Sequence, residues 1–407
     1  MKCRHCGGGE LHSFLDLGFA PPSNAYLSKA DLSRQQVFLP LRVSVCSDCW
    51  LVQTEDYAKA ADLFTDDYAY FSSTSSGWLE HARLYTEHII SELDLDGKNL
   101  VMEVACNDGY LLKNFCAKGI PCLGIEPTGS TAQIAENAGI NVIRDFFSEN
   151  LAEKLAREGR RADLLIGNNV FAHVPDVNDF TRGMKAALKP GGTITLEMPH
   201  LMRLLEFTQF DTMYHEHFSY FSLYTVDKIL SACGLRIWDV EELSTHGGSM
   251  RVYVCHEEDD RGVKPSVAAM IDEESRRGMR SLAVYRDLQV RAEKIKNEFV
   301  QFLIEKKRAG KSVLAYGAAA KGNTLLNYAG VRSDLLSGVC DAAESKQGMF
   351  MPGSGIPIFH PQALYELEPD YVVILPWNLA GEIVMQERRL CERGTKFVVA
   401  SPELKLI

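Results

Sequence analysis

The stretch between residues 99 and 197 leaves little freedom in what this chain can fold into. Short apolar runs at 99–105, 122–125, 141–144, 163–167 and 193–197 read as buried strands, and 110–118 reads as the first helix between them. Strand–helix alternation of this kind builds a parallel sheet, with ligands bound beyond the carboxyl ends of its strands. Those ends are polar: Cys106-Asn107-Asp108-Gly109, Glu126-Pro127, Asp145-Phe146 and Asn168-Asn169 follow the first four runs. An acid after the second strand stands where such a fold holds a ribose. The first turn is poor in glycine, which argues against a pyrophosphate and suits a cofactor without phosphates. S-adenosylmethionine (SAM) has a ribose, an adenine and a sulfonium. Glu103, Asn107, Gly109, Glu126, Asp145, Phe146 and Asn168 are therefore the candidate SAM residues. The bland alternative for the acids is helix capping at strand ends.

A second α/β pattern occupies the last hundred residues, with strands expected at 312–316, 338–341, 371–375 and 396–400. Gly317-Ala318-Ala319-Ala320-Lys321 makes a small-residue turn opening a helix, which favours a phosphate, although the P-loop spacing is absent. Pro376-Trp377-Asn378 adds an aromatic and an amide near the same edge. Residues 257–310 are charged and helix-rich, and read as one or two long helices between domains, with Leu282, Val284, Leu288, Val290 and Phe299 as apolar points. At 407 residues, two or three domains are expected. The division reads as 1–65, 66–256, a helical linker at 257–305, and 306–407.

Cys3-x-x-Cys6 and Cys46-x-x-Cys49 are two knuckles that together complete the tetrahedral shell zinc prefers. Four thiolates leave no open position, so the Zn2+ expected on Cys3, Cys6, Cys46 and Cys49 is structural. With 11 cysteines and no apolar leader, the thiols read as reduced and the protein as cytoplasmic. No apolar run is long enough to span a membrane, and a net charge of -11 argues against general nucleic-acid binding.

The chemistry is expected at residues 213–223. His215 and His217 flank Glu216, with Tyr214 and Tyr220 on either side. Histidine exchanges protons near neutral pH, a carboxylate can orient it, and a tyrosine can donate to an oxygen becoming negative. The Ser-rich segment 66–77 reads either as a surface linker or as a lid carrying Tyr68 or Tyr70 to the site.

Taken in order, these pieces resemble the sugar-nucleotide C-methyltransferases of deoxysugar pathways, of the tetronitrose and mycarose type. The resemblance runs the whole length. It rests on the two cysteine pairs, on Glu103-Val104-Ala105-Cys106-Asn107-Asp108-Gly109 and on His173-Val174-Pro175-Asp176. Tyr214-His215-Glu216-His217-Phe218-Ser219-Tyr220, His246-Gly247-Gly248-Ser249, the 316–324 turn and Pro376-Trp377-Asn378 complete it. The resemblance implies an α/β protein with an N-terminal zinc-binding module, a middle class I SAM-methyltransferase Rossmann-like domain and a C-terminal Rossmann-like α/β domain. The sugar nucleotide would lie between the last two. It further implies His217 as general base, Tyr214, Glu216 and His173 around the sugar, and Lys321, Asn323 and Asn378 toward the nucleotide. Cys106 replaces the family's usual Ser, and the Asn-Pro pair expected after Asp341 is absent, which leaves the nucleotide open. The expected reaction is C-methylation, at C-3, of a dTDP-linked 4-keto-deoxysugar by a monomer. The alternatives from the residues are an O- or N-methyltransferase, a zinc-ribbon binding protein and a nicotinamide-dependent oxidoreductase.

Overall fold

The computed structural model describes every residue except Ala58, Asp67, Tyr68 and Ala69, so the candidate Tyr68 lies outside the described residues. Three sheets organise the chain. The first begins with β1 (Leu11–Ala20), β2 (Leu39–Cys46) and β3 (Val52–Thr54), all antiparallel neighbours. In β1, Leu15 and Leu17 are buried between exposed Asp16 and Gly18, the two-residue period of a strand with one wet face.

The second sheet carries β4 (Val101–Val104), β5 (Cys122–Ile125), β6 (Val142–Ile143), β7 (Ala162–Asn168) and β8 (Leu188–Pro199), all parallel. β4 and most of β7 are buried throughout, as strands covered on both faces must be. The chain then leaves this sheet: β9 (Ser219–Tyr220) pairs with β3 and becomes the fourth strand of the N-terminal sheet. It returns as β10 (Leu235–Leu243) and β11 (Ser249–His256), giving the order β10-β11-β8-β7-β4-β5-β6 with β11 antiparallel to both neighbours. The order reverses between β4 and β7, which opens a crevice at their carboxyl ends.

The third sheet holds β12 (Val313–Tyr316), β13 (Val339–Cys340), β14 (Ile358–Phe359), β15 (Tyr371–Ile374), β16 (Lys396–Val399) and an antiparallel β17 (Lys405–Leu406), in the order β14-β13-β12-β15-β16-β17. Its switch point lies between β12 and β15, where the helix Ala320–Tyr328 begins.

Between the second and third sheets run the helices Pro265–Arg276, Ala283–Arg286 and Leu288–Arg308. The last buries Leu288, Ala292, Ile295, Phe299, Phe302 and Leu303, spaced by three or four residues, in one apolar core with Leu15 and Val43 of the N-terminal sheet and Val313 and Val373 of the third. Val290 falls between the members of that stripe and is exposed. No helix among the described residues is long and apolar enough to cross a membrane.

Candidate active site

The four cysteines converge. Their sulfurs all lie within 4.8 Å of one another, with Cys3 to Cys49 at 3.5 Å and Cys6 to Cys46 at 3.6 Å. A tetrahedral ion with bonds of about 2.3 Å puts its sulfurs about 3.8 Å apart, so this cluster fits zinc with no ligand missing. His5, between the first two cysteines, is engaged instead by Asn178 at 2.8 Å. A closed thiolate shell does no chemistry; it ties the N-terminal segment to the β2–β3 turn.

A cavity of about 520 Å³ opens at the crevice of the second sheet and reaches the third. It brings together Asn107, Glu126, Asp145, Phe146, Asn168 and Tyr70 on the sheet side. Across from these stand His173, Tyr214, Glu216 and His217, and the third sheet contributes Lys321 and Asn378. Gly109, Glu103 and Asn323 do not line it. Gly109 has φ +77°, and a Cβ there would meet Ile140 Cδ1 at 2.3 Å, so its place is the turn itself. Glu103 is buried on β4, and burial, with Glu126 and Asp108 nearby, pushes its carboxyl well above the usual range. Asn323 is buried on the helix Ala320–Tyr328, where its Oδ1 accepts from Asn327 Nδ2 at 3.1 Å.

The sheet side is rigidly organised. Glu126 Oε2 accepts from the backbone N–H of Asn107 and Oε1 from that of Thr128, both at 2.9 Å. Asn107 itself sits at φ +51° and is bridged to the 70–73 segment: Ser72 N–H donates to its Oδ1 at 2.9 Å and its Nδ2 to the Tyr70 carbonyl at 3.1 Å. On the cavity wall, Asn168 Oδ1 and Asn169 Oδ1 are buried with no donor among the described residues. SAM brings the matching donors, an ammonium, two ribose hydroxyls and the adenine amine, so the residues present fit it.

The histidines facing the cavity are neutral. His217 Nδ1–H donates to the Thr212 carbonyl at 3.1 Å, which leaves Nε2 with the lone pair. Burial, reinforced by His173, holds its pKa well below the usual value. His173 is pushed down to about 4 by burial, and its Nδ1–H donates to the Glu216 carbonyl at 2.9 Å. The Tyr214 ring lies 4.1 Å from the His217 ring, and burial keeps its phenol protonated. His215 points away, to the Pro40 carbonyl at 3.1 Å. Lys321 donates to Asn378 Oδ1 at 2.6 Å over the Trp377 ring; burial brings its pKa down to about 8 against the opposing pull of Asp211. Asp211 is rooted by Trp377 Nε1 at 2.7 Å.

Sequence reasoning passed over several cavity residues: Asn24, Trp78, Thr212 and Lys346. None lies in a motif. His246 was noticed only as part of His246-Gly247-Gly248-Ser249, yet its φ of +53° is a backbone position a bulky residue seldom takes.

A methyltransferase sheet with its crevice facing a second Rossmann-like domain, and with a thiolate zinc cluster behind, defines the class: a SAM-dependent methyltransferase carrying a structural zinc module. Comparison with known proteins agrees and narrows it. Three family models match in succession: a putative zinc binding domain over residues 3–64, a methyltransferase domain over 78–240 and a C-methyltransferase C-terminal domain over 244–402. C-methyltransferase NovU of Streptomyces niveus is 33% identical over 406 residues, covering 100% of this chain and 96% of its own. The ubiquinone biosynthesis O-methyltransferase of Bartonella tribocorum shares 28% identity over only 93 residues, 23% of this chain and 38% of that one. A solved SAM-dependent methyltransferase from Clostridium acetobutylicum ATCC 824 aligns with 43% of this chain and 91% of its own, at 13% identity and a TM-score of 0.35. The chain belongs to the C-methyltransferase family that includes NovU, and it is a SAM-dependent C-methyltransferase with a structural zinc site.

Proposed function

We propose that the methyl acceptor is the carbon beside a ketone in a sugar nucleotide, C-3 of a dTDP-linked 4-keto-6-deoxysugar, and that His217 is the base. The observation that carries this reading is the His217 imidazole: neutral, buried in the cavity wall, its Nδ1–H spent on the Thr212 carbonyl and its Nε2 left to accept. Such a group serves an acidic C–H, because the ketone supplies the acidity and the base need only be correctly placed.

In the proposed step His217 Nε2 takes the proton from C-3, and the C–H electron pair moves into an enolate. Tyr214, still protonated, donates to the oxygen that becomes negative. Glu216 and His173 hold the ring. SAM, when bound, supplies an electrophilic methyl; the enolate carbon forms the new C–C bond as the C–S electron pair stays with sulfur. Asn107, Glu126, Asp145, Phe146 and Asn168 orient the cofactor, while Lys321 and Asn378 face the nucleotide, with Asn323 acting on the same helix from behind. Tyr70 closes the cavity beside them.

The test is incubation with dTDP-4-keto-6-deoxyglucose in heavy water, with and without SAM, followed by NMR and mass spectrometry. Deuterium at C-3 without SAM and a new C-methyl with it are expected. Methylation without exchange at that carbon refutes the assigned position, and neither signal refutes the substrate class.

A further inference from the structure

The N-terminal module reaches the catalytic run at three successive places. His215 Nε2–H donates to the Pro40 carbonyl, Thr54 Oγ1 donates to the His217 carbonyl at 3.0 Å, and Thr54 N–H to the Phe218 carbonyl at 3.2 Å. The contact at Glu216 differs in kind, because it involves the side chain that faces the cavity. Asn24 Nδ2 donates to Glu216 Oε2 at 2.7 Å, and Asn24 lines the cavity as well.

The loop bearing Asn24 is held at both ends by the third sheet's domain. Leu27 and Phe350 exchange backbone hydrogen bonds at 3.0 and 2.8 Å, and Pro21 packs against Gly353, where a Cβ would come within 2.9 Å of the proline ring. Between these anchors the Tyr26 hydroxyl donates to the Ala318 carbonyl, which also accepts from Lys346 Nζ at 2.9 Å. Pro21 and Pro22 limit the backbone before Asn24. A short loop pinned this way can present one amide in one place, which is what a contact of defined direction requires.

We infer that Asn24 is a positioning residue for the C-methylation: its amide fixes the rotamer of Glu216, and through Glu216 the sugar ring, so that the zinc module forms a third wall of the active site. The role rests on the substrate reading given above. An amide suits the task because it donates without adding charge beside the ionisable groups already facing Glu216. They include Tyr214 from its own run and Tyr26 from the Asn24 loop, with Lys346 and Asp341 of the third sheet's domain next to Tyr26 and with His173 and His217 lining the same cavity.

The experiment compares wild type, Asn24→Ala and Asn24→Asp for zinc content, SAM affinity, C-3 deuterium exchange and methyl transfer between pH 5.5 and 9. Asn24→Ala is expected to keep its zinc and SAM affinity and to lose about 10- to 100-fold in the exchange rate at saturating sugar, as for a hydrogen bond to a charged group. Asn24→Asp places two carboxylates side by side, which raises the pKa of one of them. It should be as slow as the alanine variant at pH 9 and recover as pH falls, when a protonated aspartic acid donates where the amide did. A merely structural residue gives no such recovery. Wild-type rates in Asn24→Ala, or an Asn24→Asp profile parallel to wild type, overturn the role of Asn24 alone. Absence of exchange in the wild type overturns the substrate reading and the role together.

Discussion

His217→Asn isolates the base from the fold. The imidazole makes one hydrogen bond, Nδ1–H to the Thr212 carbonyl at 3.1 Å, and asparagine can place an N–H close to the same point while removing Nε2. The variant should therefore fold, bind zinc and bind SAM, and lose C-3 exchange by about 10²- to 10⁴-fold, the usual worth of a positioned general base. The pH profile of the wild type supplies an independent check. An imidazole at the ordinary value of about 6.5 is roughly three-quarters protonated at pH 6, so exchange would fall about fourfold between pH 8 and 6. Burial, with His173, His246 and Lys321 opposing any further positive charge, holds the His217 pKa well below that, the Thr212 hydrogen bond notwithstanding. The neutral, competent form should persist and the exchange rate should stay flat across that interval. The assay is deuterium wash-in followed by NMR with no SAM present, so that only proton removal is read. More than about a tenth of wild-type exchange in His217→Asn, or a fourfold decline with a midpoint near 6.5, would refute the assignment.

Other consequences can be measured alongside. Lys321, brought to about 8 by burial, is a cation only below that pH in the free protein. The KM for an anionic sugar nucleotide should therefore rise above pH 8, and Lys321→Met should show a raised KM without that pH dependence in steady-state kinetics. His173 and His246, both pushed down to about 4 by burial, are neutral when folded and protonated in the unfolded chain below about 6.5. Each should cost up to about 1.4 kcal/mol of stability per pH unit as pH falls between those values, and His173→Asn should flatten the slope of urea-derived stability against pH by that amount. Cys46→Ser, or stripping the metal with a thiol-reactive mercurial, should release zinc and lower the melting temperature. It should also slow exchange, because β2, β3 and β9 form one sheet that ends beside His217; metal analysis and exchange rates measured on the same sample check this.

What could be read from sequence was what local pattern encodes. β4 and β7 are buried almost throughout because both faces are covered, so Val101-Met102 and Leu164-Leu165-Ile166 announce themselves as short apolar runs. The cysteine pairs announce a shared ion by their spacing alone. β1 is different: Phe19 is largely exposed, register shifts interrupt its pairing with β2, and only three of its ten residues are buried. β9 is two residues long and its partner lies far away in the chain, so no periodicity could mark it. Side-chain direction was a further limit. Lys321 and Asn323 stand in one motif, but two residues along a helix turn the side chain roughly 200° about the axis. One reaches the cavity and the other is buried behind it. Asn24 belongs to no motif; only the folded loop shows what its amide meets.

The charges around the cavity point toward the proposed reaction. Glu197, fully buried at the end of β8, takes hydrogen bonds from His81 at 2.8 Å, Arg251 at 2.5 Å and Thr245 at 3.1 Å. Burial raises its pKa, but His81 and Arg251 outweigh burial and keep the carboxylate ionised. Trp78 stacks on His81 at 4.9 Å and packs on His246 at 5.2 Å, so this paired node supports the cavity wall without exposing a net charge to it. Lys346 lies 3.7 Å from Asp341. Two cavity-facing histidines, a cavity-facing lysine and one acid beside them are shifted toward their neutral forms: His173 and His217 downward, Lys321 to about 8 and Asp211 up to about 6. In a cavity so arranged, creating or destroying a net charge is expensive. The proposed turnover does neither. It starts with a neutral imidazole and a sulfonium, and it ends with an imidazolium and a neutral thioether. One positive charge moves from sulfur to His217 while the enolate that bridges them is formed and consumed. A base titrating at the ordinary value would enter the reaction already charged for part of the time, and would then face the sulfonium as a like charge in a low-dielectric site.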